Sequence, residues 1–221
     1  MTLQAVFFDL DGTLINSEPE WLAVEHEIMD WLEGPWDVEH QDQVVGGSLW
    51  RTVDYMLGLA TRPQPRELVA ERLLTLMAAR LSTGVVLMPG AKELLVEVSA
   101  SGVPVALVTS TVRQLADAAI DAIGRDLFKV TVCGDEVEHT KPHPEPYLKA
   151  ARLLGVDPAA CVVLEDSPTG VAAGEAAGCA VIAVPGIVAI PEAPTRTVVP
   201  TLEGLSLDGL RELLGGGSVL P

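Results

Sequence analysis

Two aspartates stand two residues apart in Asp9-Leu10-Asp11-Gly12-Thr13, directly after the apolar run 5–8. That run reads as a short buried strand, and side chains at i and i+2 of a strand end share one side. Gly12 permits the tight turn with which a chain leaves a strand. A carboxylate free to attack, beside a second free to handle a proton, suits covalent phosphoryl transfer. Asp-Gly alone would read as an acidic turn, so the weight falls on the groups further along the chain.

Three such groups lie downstream. The run 103–108, broken only by Pro104, ends in Thr109-Ser110-Thr111. Hydroxyls ahead of a helix N-terminus make a neutral cradle for phosphate oxygens, although Thr109 taken alone reads as a plain N-cap. Lys141 lies in His139-Thr140-Lys141-Pro142-His143-Pro144-Glu145-Pro146. The prolines exclude a long helix until after Pro146 and fix the loop, which makes Lys141 a well-placed cation. The run 161–164 closes with Glu165-Asp166-Ser167-Pro168. Ser167 and Pro168 have the pattern of an N-cap and first helical turn. The carboxylate pair is a natural half of a Mg²⁺ site, because Mg²⁺ takes one or two carboxylates plus water and phosphate oxygens.

The elements that must position these groups alternate. Strands are expected over 5–9, 105–109, 129–133, 162–165 and 180–184, with helices over 91–101, 112–123, 145–154 and 169–177. Such alternation predicts an α/β fold, a Rossmann-like parallel sheet with right-handed crossovers, whose ligands sit at the carboxyl ends of the strands. All four motif groups fall at expected strand ends. Residues 16–83 break the pattern with helical periodicity over 17–32, 48–59 and 66–81, and predict an inserted α-helical cap. The core is then 1–15 and 84–221, finished by a weak strand at 198–199, a helix over 207–214 and a frayed Gly215-Gly216-Gly217-Ser218 tail.

The chain has 221 residues, 48% hydrophobic, with a net charge of −17. That charge argues against nucleic acid or an anionic membrane as partner. The N-terminus lacks a basic region and its apolar stretch is interrupted by Asp9 and Asp11, unlike a signal peptide. Cys133, Cys161 and Cys179 contain no CxxC and read as small buried hydrophobes in a reducing, cytoplasmic setting. A monomer is expected.

The order Asp-x-Asp-Gly-Thr, Thr/Ser, Lys-Pro, Glu-Asp-Ser resembles the haloacid dehalogenase superfamily over about 5–199. It is most similar to the subgroup with a helical cap after the first strand, which holds β-phosphoglucomutases and sugar-phosphate phosphatases. Asn16-Ser17-Glu18-Pro19 is similar to that subgroup's cap entrance, with Asn16 in place of the usual Asp. The resemblance implies that Asp9 becomes an aspartyl phosphate and that Asp11 serves as general acid and base. It implies that Thr109, with Ser110 beside it, and Lys141 hold phosphate oxygens. Asp166, Asp9 and the Leu10 carbonyl would bind Mg²⁺, with Asp11 beside the ion and Glu165 supporting it through water.

The cap must select the substrate. It has no lysine between Asn16 and Ala91, which excludes the Schiff-base chemistry of the related phosphonate hydrolases. Asp11 and Asp166 count against dehalogenases, which need no metal. A phosphoglucomutase of this family places a histidine near the position of Trp21 and an arginine after Gly-x-Ser, where this chain has Leu49; the mutase's further cap lysine is also missing. A mutase must grip a second phosphate, so missing cations are costly, although Arg51 in a shifted register would compensate. The expected activity is a Mg²⁺-dependent phosphatase of a small phosphorylated metabolite, a sugar phosphate above all. The alternatives are a β-phosphoglucomutase-type mutase and a non-catalytic phosphometabolite sensor. Glu18, Trp21, Gly47, Trp50 and Arg51 are the candidates for substrate contact, and Arg113 reads as a surface arginine rather than a phosphate ligand. A His139–His143 metal pair is rejected, because four-residue spacing needs a helix that Pro142 and Pro144 forbid.

Overall fold

A computed structural model describes residues 2–44, 48–186 and 188–215. The first strand, β1 (Ala5–Phe8), lies at the centre of a parallel sheet. Its neighbours are β2 (Val105–Val108) and β4 (Cys161–Glu165); β3 (Val130–Val132), β5 (Ala180–Ala183) and β6 (Arg196–Val198) complete the order β3-β2-β1-β4-β5-β6. Phe8 is level with Leu107 on one side and with Leu164 on the other, so the three central strands end together. The chain winds one way from β1 to β2 and the other way to β4. That reversal opens a crevice at the carboxyl ends.

Successive side chains of β1 point to opposite faces. Val6 and Phe8 join one apolar cluster with helices α5 (Ala91–Ala100), α6 (Arg113–Ile123) and α9 (Leu207–Leu214). Ala5 and Phe7 join the other, with α7 (Glu145–Leu154) and α8 (Pro168–Ala176). Both faces are covered, which explains why β1, β2 and β4 carry unbroken apolar runs rather than alternation.

Between β1 and α5 lie α1 (Glu18–Trp31), α2 (Val38–Asp42), α3 (Leu49–Leu59) and α4 (Arg66–Ser82). They pack on one another, and α4 also lies against α6 of the sheet layer. The two connections run side by side: the Asn16 N–H donates to Val86 O (2.8 Å) and the Met88 N–H to Leu14 O (2.9 Å). The short α2 is not among the expected elements. Its five residues are too few to show a period, and an Asp37 cap on the His40 N–H starts it (3.1 Å). The last strand pairs over 196–198 rather than 198–199. Gly216, Gly217 and Ser218 of the expected tail lie outside the described residues, as do Gly46 and Gly47.

Candidate active site

The ends of β1, β2 and β4 converge on one cavity of about 390 Å³, roofed by the inserted helices. Asp9 follows β1 directly and is buried, as are Thr109 after β2 and Glu165 at the end of β4. Lys141 reaches this point from the proline loop, whose Lys141–Pro142 peptide is cis. Its Nζ donates to Asp9 Oδ1 (2.6 Å), Glu165 Oε1 (2.5 Å) and Val108 O (2.8 Å). Three donors thus meet three acceptors with almost no water, the condition under which a buried charge is tolerated.

Glu165 is wholly enclosed. Besides Lys141 it accepts from Tyr147 OH on Oε1 (2.8 Å). Its Oε2 accepts from the Asp166 N–H (3.1 Å), the Ser167 N–H (3.2 Å) and Ser167 Oγ (3.0 Å). Gly170 in α8 is needed for this: any Cβ there would collide with the Glu165 carboxylate. The Glu165 oxygens therefore brace Lys141 and the turn that presents Asp166. Asp166 itself reaches the cavity and accepts from Thr13 Oγ1 on Oδ1 (3.4 Å). Gly12 has φ +82° and passes so close to Asp166 that a side chain there would strike its carboxylate, so glycine is needed twice over.

Asp11 accepts from two hydroxyls, Ser17 Oγ on Oδ1 and Thr111 Oγ1 on Oδ2, both at 2.6 Å. Ser17 stands at the N-cap of α1 but gives it no side-chain bond, because its hydroxyl turns to Asp11 instead. Thr109 does not cap α6: its Oγ1 accepts from the Thr111 N–H (3.0 Å), and α6 starts four residues later. The first α6 N–H, of Arg113, is met from another segment by Asp135 Oδ1 (2.8 Å). Ser110 is exposed and lines the cavity beside Thr109. The Arg113 guanidinium faces away, onto Glu136 (2.7 Å) and Thr131 Oγ1 (2.9 Å).

Charge is unbalanced here. Burial pushes the Asp9 carboxyl well above its ordinary value; Lys141 opposes that, while Glu165 and Asp166 add to it. Burial, reinforced by Glu165, takes Asp166 up to about 8. Burial works against the Lys141 charge, but Asp9 and Glu165 outweigh it and hold the ammonium above its usual range. Oxygens of Asp9, Glu165 and Asp166 come within 4.8 Å of one another. Three carboxylates facing one ammonium call for a further cation.

On the helical roof, Glu18, Trp21 and Arg51, candidates for substrate contact, line the cavity. Trp50 does not: it is exposed under the Arg66 guanidinium, 4.3 Å from the ring centre, because its position on α3 faces away from the opening. Gly47 lies outside the described residues. Sequence reasoning missed Ser17, Thr111 and Tyr147 as supporting residues. Thr111 stands in the hydroxyl run after β2, which could have found it, whereas Tyr147 has no local signal. The His139–His143 rejection is corrected in one respect. No helix is needed, because the loop brings the rings to 4.6 Å with Glu145 Oε2 at 3.0 Å from His139 Nδ1. Their groups already bond one another at the start of α7: His143 Nδ1 accepts from the Glu145 N–H (3.2 Å), and the Glu145 carboxylate accepts from the Glu138 and His139 N–H groups (both 2.9 Å). The three cysteines are buried and unpaired, their thiols pushed up to about 12 by burial. No helix among the described residues is long and apolar enough to cross a membrane.

A doubly wound parallel sheet with a carboxylate pair after its central strand, a buried lysine and a helical roof defines a class of α/β hydrolytic enzymes. The chain belongs to the haloacid dehalogenase-like hydrolase family, whose model matches residues 3–178. It is 34% identical over 200 residues to Protein CbbY of Rhodobacter capsulatus, covering 84% of this chain and 86% of that one. It is 36% identical over 191 residues to hexitol phosphatase A of Escherichia coli, covering 83% and 84%. The structure of CbbY from Rhodobacter sphaeroides in complex with phosphate superposes with a TM-score of 0.85 at 28% identity, over 95% of this chain and 99% of that one. A mutant of the same CbbY is known in complex with xylulose-(1,5)bisphosphate, with a TM-score of 0.84 at 28% identity.

Proposed function

We propose that this protein is a Mg²⁺-dependent phosphatase that hydrolyses a small phosphorylated metabolite, a sugar phosphate or its polyol relative. The observation that carries the reading is the Lys141 ammonium clamped between Asp9 and Glu165 at the floor of the cavity. A buried ammonium beside a buried carboxylate favours the charged, attacking form of that carboxylate. Hexitol phosphatase A, a relative over most of the chain, supports the substrate class.

Asp9 attacks phosphorus and forms the acyl phosphate, while the ester bond to the leaving oxygen breaks. Asp11 gives that oxygen a proton and then takes one from the water that hydrolyses the intermediate; Ser17 and Thr111 hold its carboxyl in place. Thr109, Ser110 and Lys141 hold phosphate oxygens, since phosphoryl transfer depends on positioning and charge compensation. Asp9 and Asp166 would hold the cation, with Glu165 bracing Asp166; the Leu10 carbonyl expected beside them is corrected, because it accepts from the Leu14 and Ile15 N–H groups instead (2.9 and 3.0 Å). An all-oxygen donor set with excess negative charge fits Mg²⁺, which when bound would offset that charge and polarise a phosphate oxygen. Residues 16–83 act as the cap and residues 1–15 with 84–221 as the core. Three buried thiols support a cytoplasmic setting.

Arg51 on the cavity wall supports a phosphosugar mutase as second reading. Its Nη2, however, already donates to Gln43 O (2.9 Å). The test is phosphate release from a panel of sugar and polyol phosphates including β-glucose 1-phosphate, with Mg²⁺ and with chelator. Phosphate formed only with Mg²⁺ is expected. Glucose 6-phosphate formed without net phosphate release would replace this reading by the mutase.

A further inference from the structure

Glu25 on α1 lines the cavity from the helical side, yet is only 4% exposed. Its Oε2 accepts from Trp36 Nε1 (3.3 Å). Trp36 is itself held between the His40 ring (5.7 Å) and the Tyr55 ring (5.9 Å), so this donor is fixed. Among the described residues nothing in the protein donates to the other oxygen. Glu25 is a lining residue of the cavity, and no side-chain oxygen among the described residues is both partnerless and closed off from solvent. A carboxyl oxygen held at the cavity wall is placed to exchange water for a hydrogen-bonding group of a ligand.

The groups facing Glu25 set the chemistry of that ligand. Glu18 faces it from α1 itself, Gln41 from α2, and Thr52 with Arg51 from α3; α4 contributes the apolar Leu73 and Leu74. Among described cavity-lining residues of the roof, Arg51 is the one cation. A second phosphate or a carboxylate set against Glu25 would face a carboxyl there, while the Arg51 guanidinium has one of its N–H groups on the Gln43 carbonyl. A hydroxyl, which both donates and accepts, meets no such conflict. We infer that Glu25 is a specificity-determining residue that hydrogen-bonds a hydroxyl of an uncharged polyol or sugar leaving group. The inference rests on the phosphatase reading and narrows its substrate class. Burial raises the Glu25 carboxyl to about 7, with Trp36 opposing and Glu18 adding. Near neutrality it can donate as well as accept.

The experiment compares kcat/KM for sorbitol 6-phosphate, fructose 1,6-bisphosphate and p-nitrophenyl phosphate across pH 6–8.5, with wild type, Glu25→Ala, Glu25→Gln and Trp36→Phe. The aryl ester offers no hydroxyl to the roof, so the polyol-to-aryl ratio cancels effects on the core. Glu25→Ala should lower that ratio about tenfold, chiefly through KM. Glu25→Gln, which keeps a donor and an acceptor, should restore it at pH 7. The wild-type ratio should bend near pH 7 and the Glu25→Gln ratio should stay flat. Equal losses on both esters, with Trp36→Phe matching Glu25→Ala, would reduce Glu25 to a structural tie and overturn the inference. So would a wild-type preference for the bisphosphate. Should Glu25→Ala not fold, the pH comparison with Glu25→Gln decides. If wild type hydrolyses none of the three esters, it is the phosphatase reading that fails.

Discussion

On the sheet side of the cavity, Glu165 accepts from five donors and Asp11 from two hydroxyls. On the helical side Glu25 has one donor for two oxygens, and the Arg51 side chain reaches only a backbone carbonyl among the described residues. The supports on the sheet side are complete without substrate, whereas Asp9 and Asp166 each accept one side-chain bond and face the place of a cation, and Glu25 accepts one bond on the helical side. Pre-organised charge on rigid strand ends is what the chemical step needs. An unfinished roof suits the part that must recognise the remainder of a substrate.

The largest expected effect breaks the sheet side. Asp9→Asn should lower turnover by at least about 10⁴-fold, since an amide cannot form the acyl phosphate. The neutral isostere leaves Lys141 paired with Glu165, so circular dichroism should show a folded protein. Normal turnover in a homogeneous variant would remove Asp9 as nucleophile. Next in size is Lys141→Met, which leaves Asp9 and Glu165 buried without their cation. It should cost about 3 kcal/mol of stability and most of the activity. A thermal melt separates the two losses: Mg²⁺ should recover part of the melting temperature and little of the rate.

The same contrast governs how much of the site is legible in the sequence. Asp9, Thr109, Lys141 and Glu165 each close an apolar run or sit in a proline-fixed loop, so local pattern places them, and the parallel sheet brings them together. Their supports are harder to read. Ser17 has the outward signature of a helix cap, and its hydroxyl is diverted to Asp11 only because the chain turns back on itself. Tyr147 is an apolar-face residue of α7 until the fold stacks it on Phe7 and aims its hydroxyl at Glu165. On the roof, position in the sequence says little. Trp21 and Trp50 look alike as ring-stacking candidates, and the rotation of two helices puts one on the cavity and the other in solvent.

A smaller effect sharpens the comparison on the roof. The folded protein holds the Glu25 proton up to about 7, against an ordinary value of 4.5. The unfolded chain therefore releases that proton first as pH rises. The native state loses stability from Glu25 between these two values, and above pH 7 the loss levels off. Glu25→Gln removes the titration. The stability of wild type relative to Glu25→Gln should fall by about 3 kcal/mol from pH 4.5 to pH 8. Denaturant melts of both proteins at each pH read this difference directly, and the shared contributions of Asp9 and Asp166 cancel. A flat difference would mean that Glu25 ionises as an ordinary carboxyl.

The smallest expected effect lies just outside the cavity. Trp50 is 42% exposed, with Arg66 over its ring and the Arg66 guanidinium also bonded to Asp54 at 2.5 and 2.8 Å. Exposed pairs of this kind contribute little, because solvent screens them. Trp50→Ala should therefore shift the melting temperature only slightly and leave KM for the preferred phosphate ester within about twofold, below the 1.4 kcal/mol of a tenfold change. A large rise in KM would mean that α3 turns to bring Trp50 over the bound substrate. The boundary between a recognising roof and its solvent face would then have to move by one residue, from Arg51 to include its neighbour.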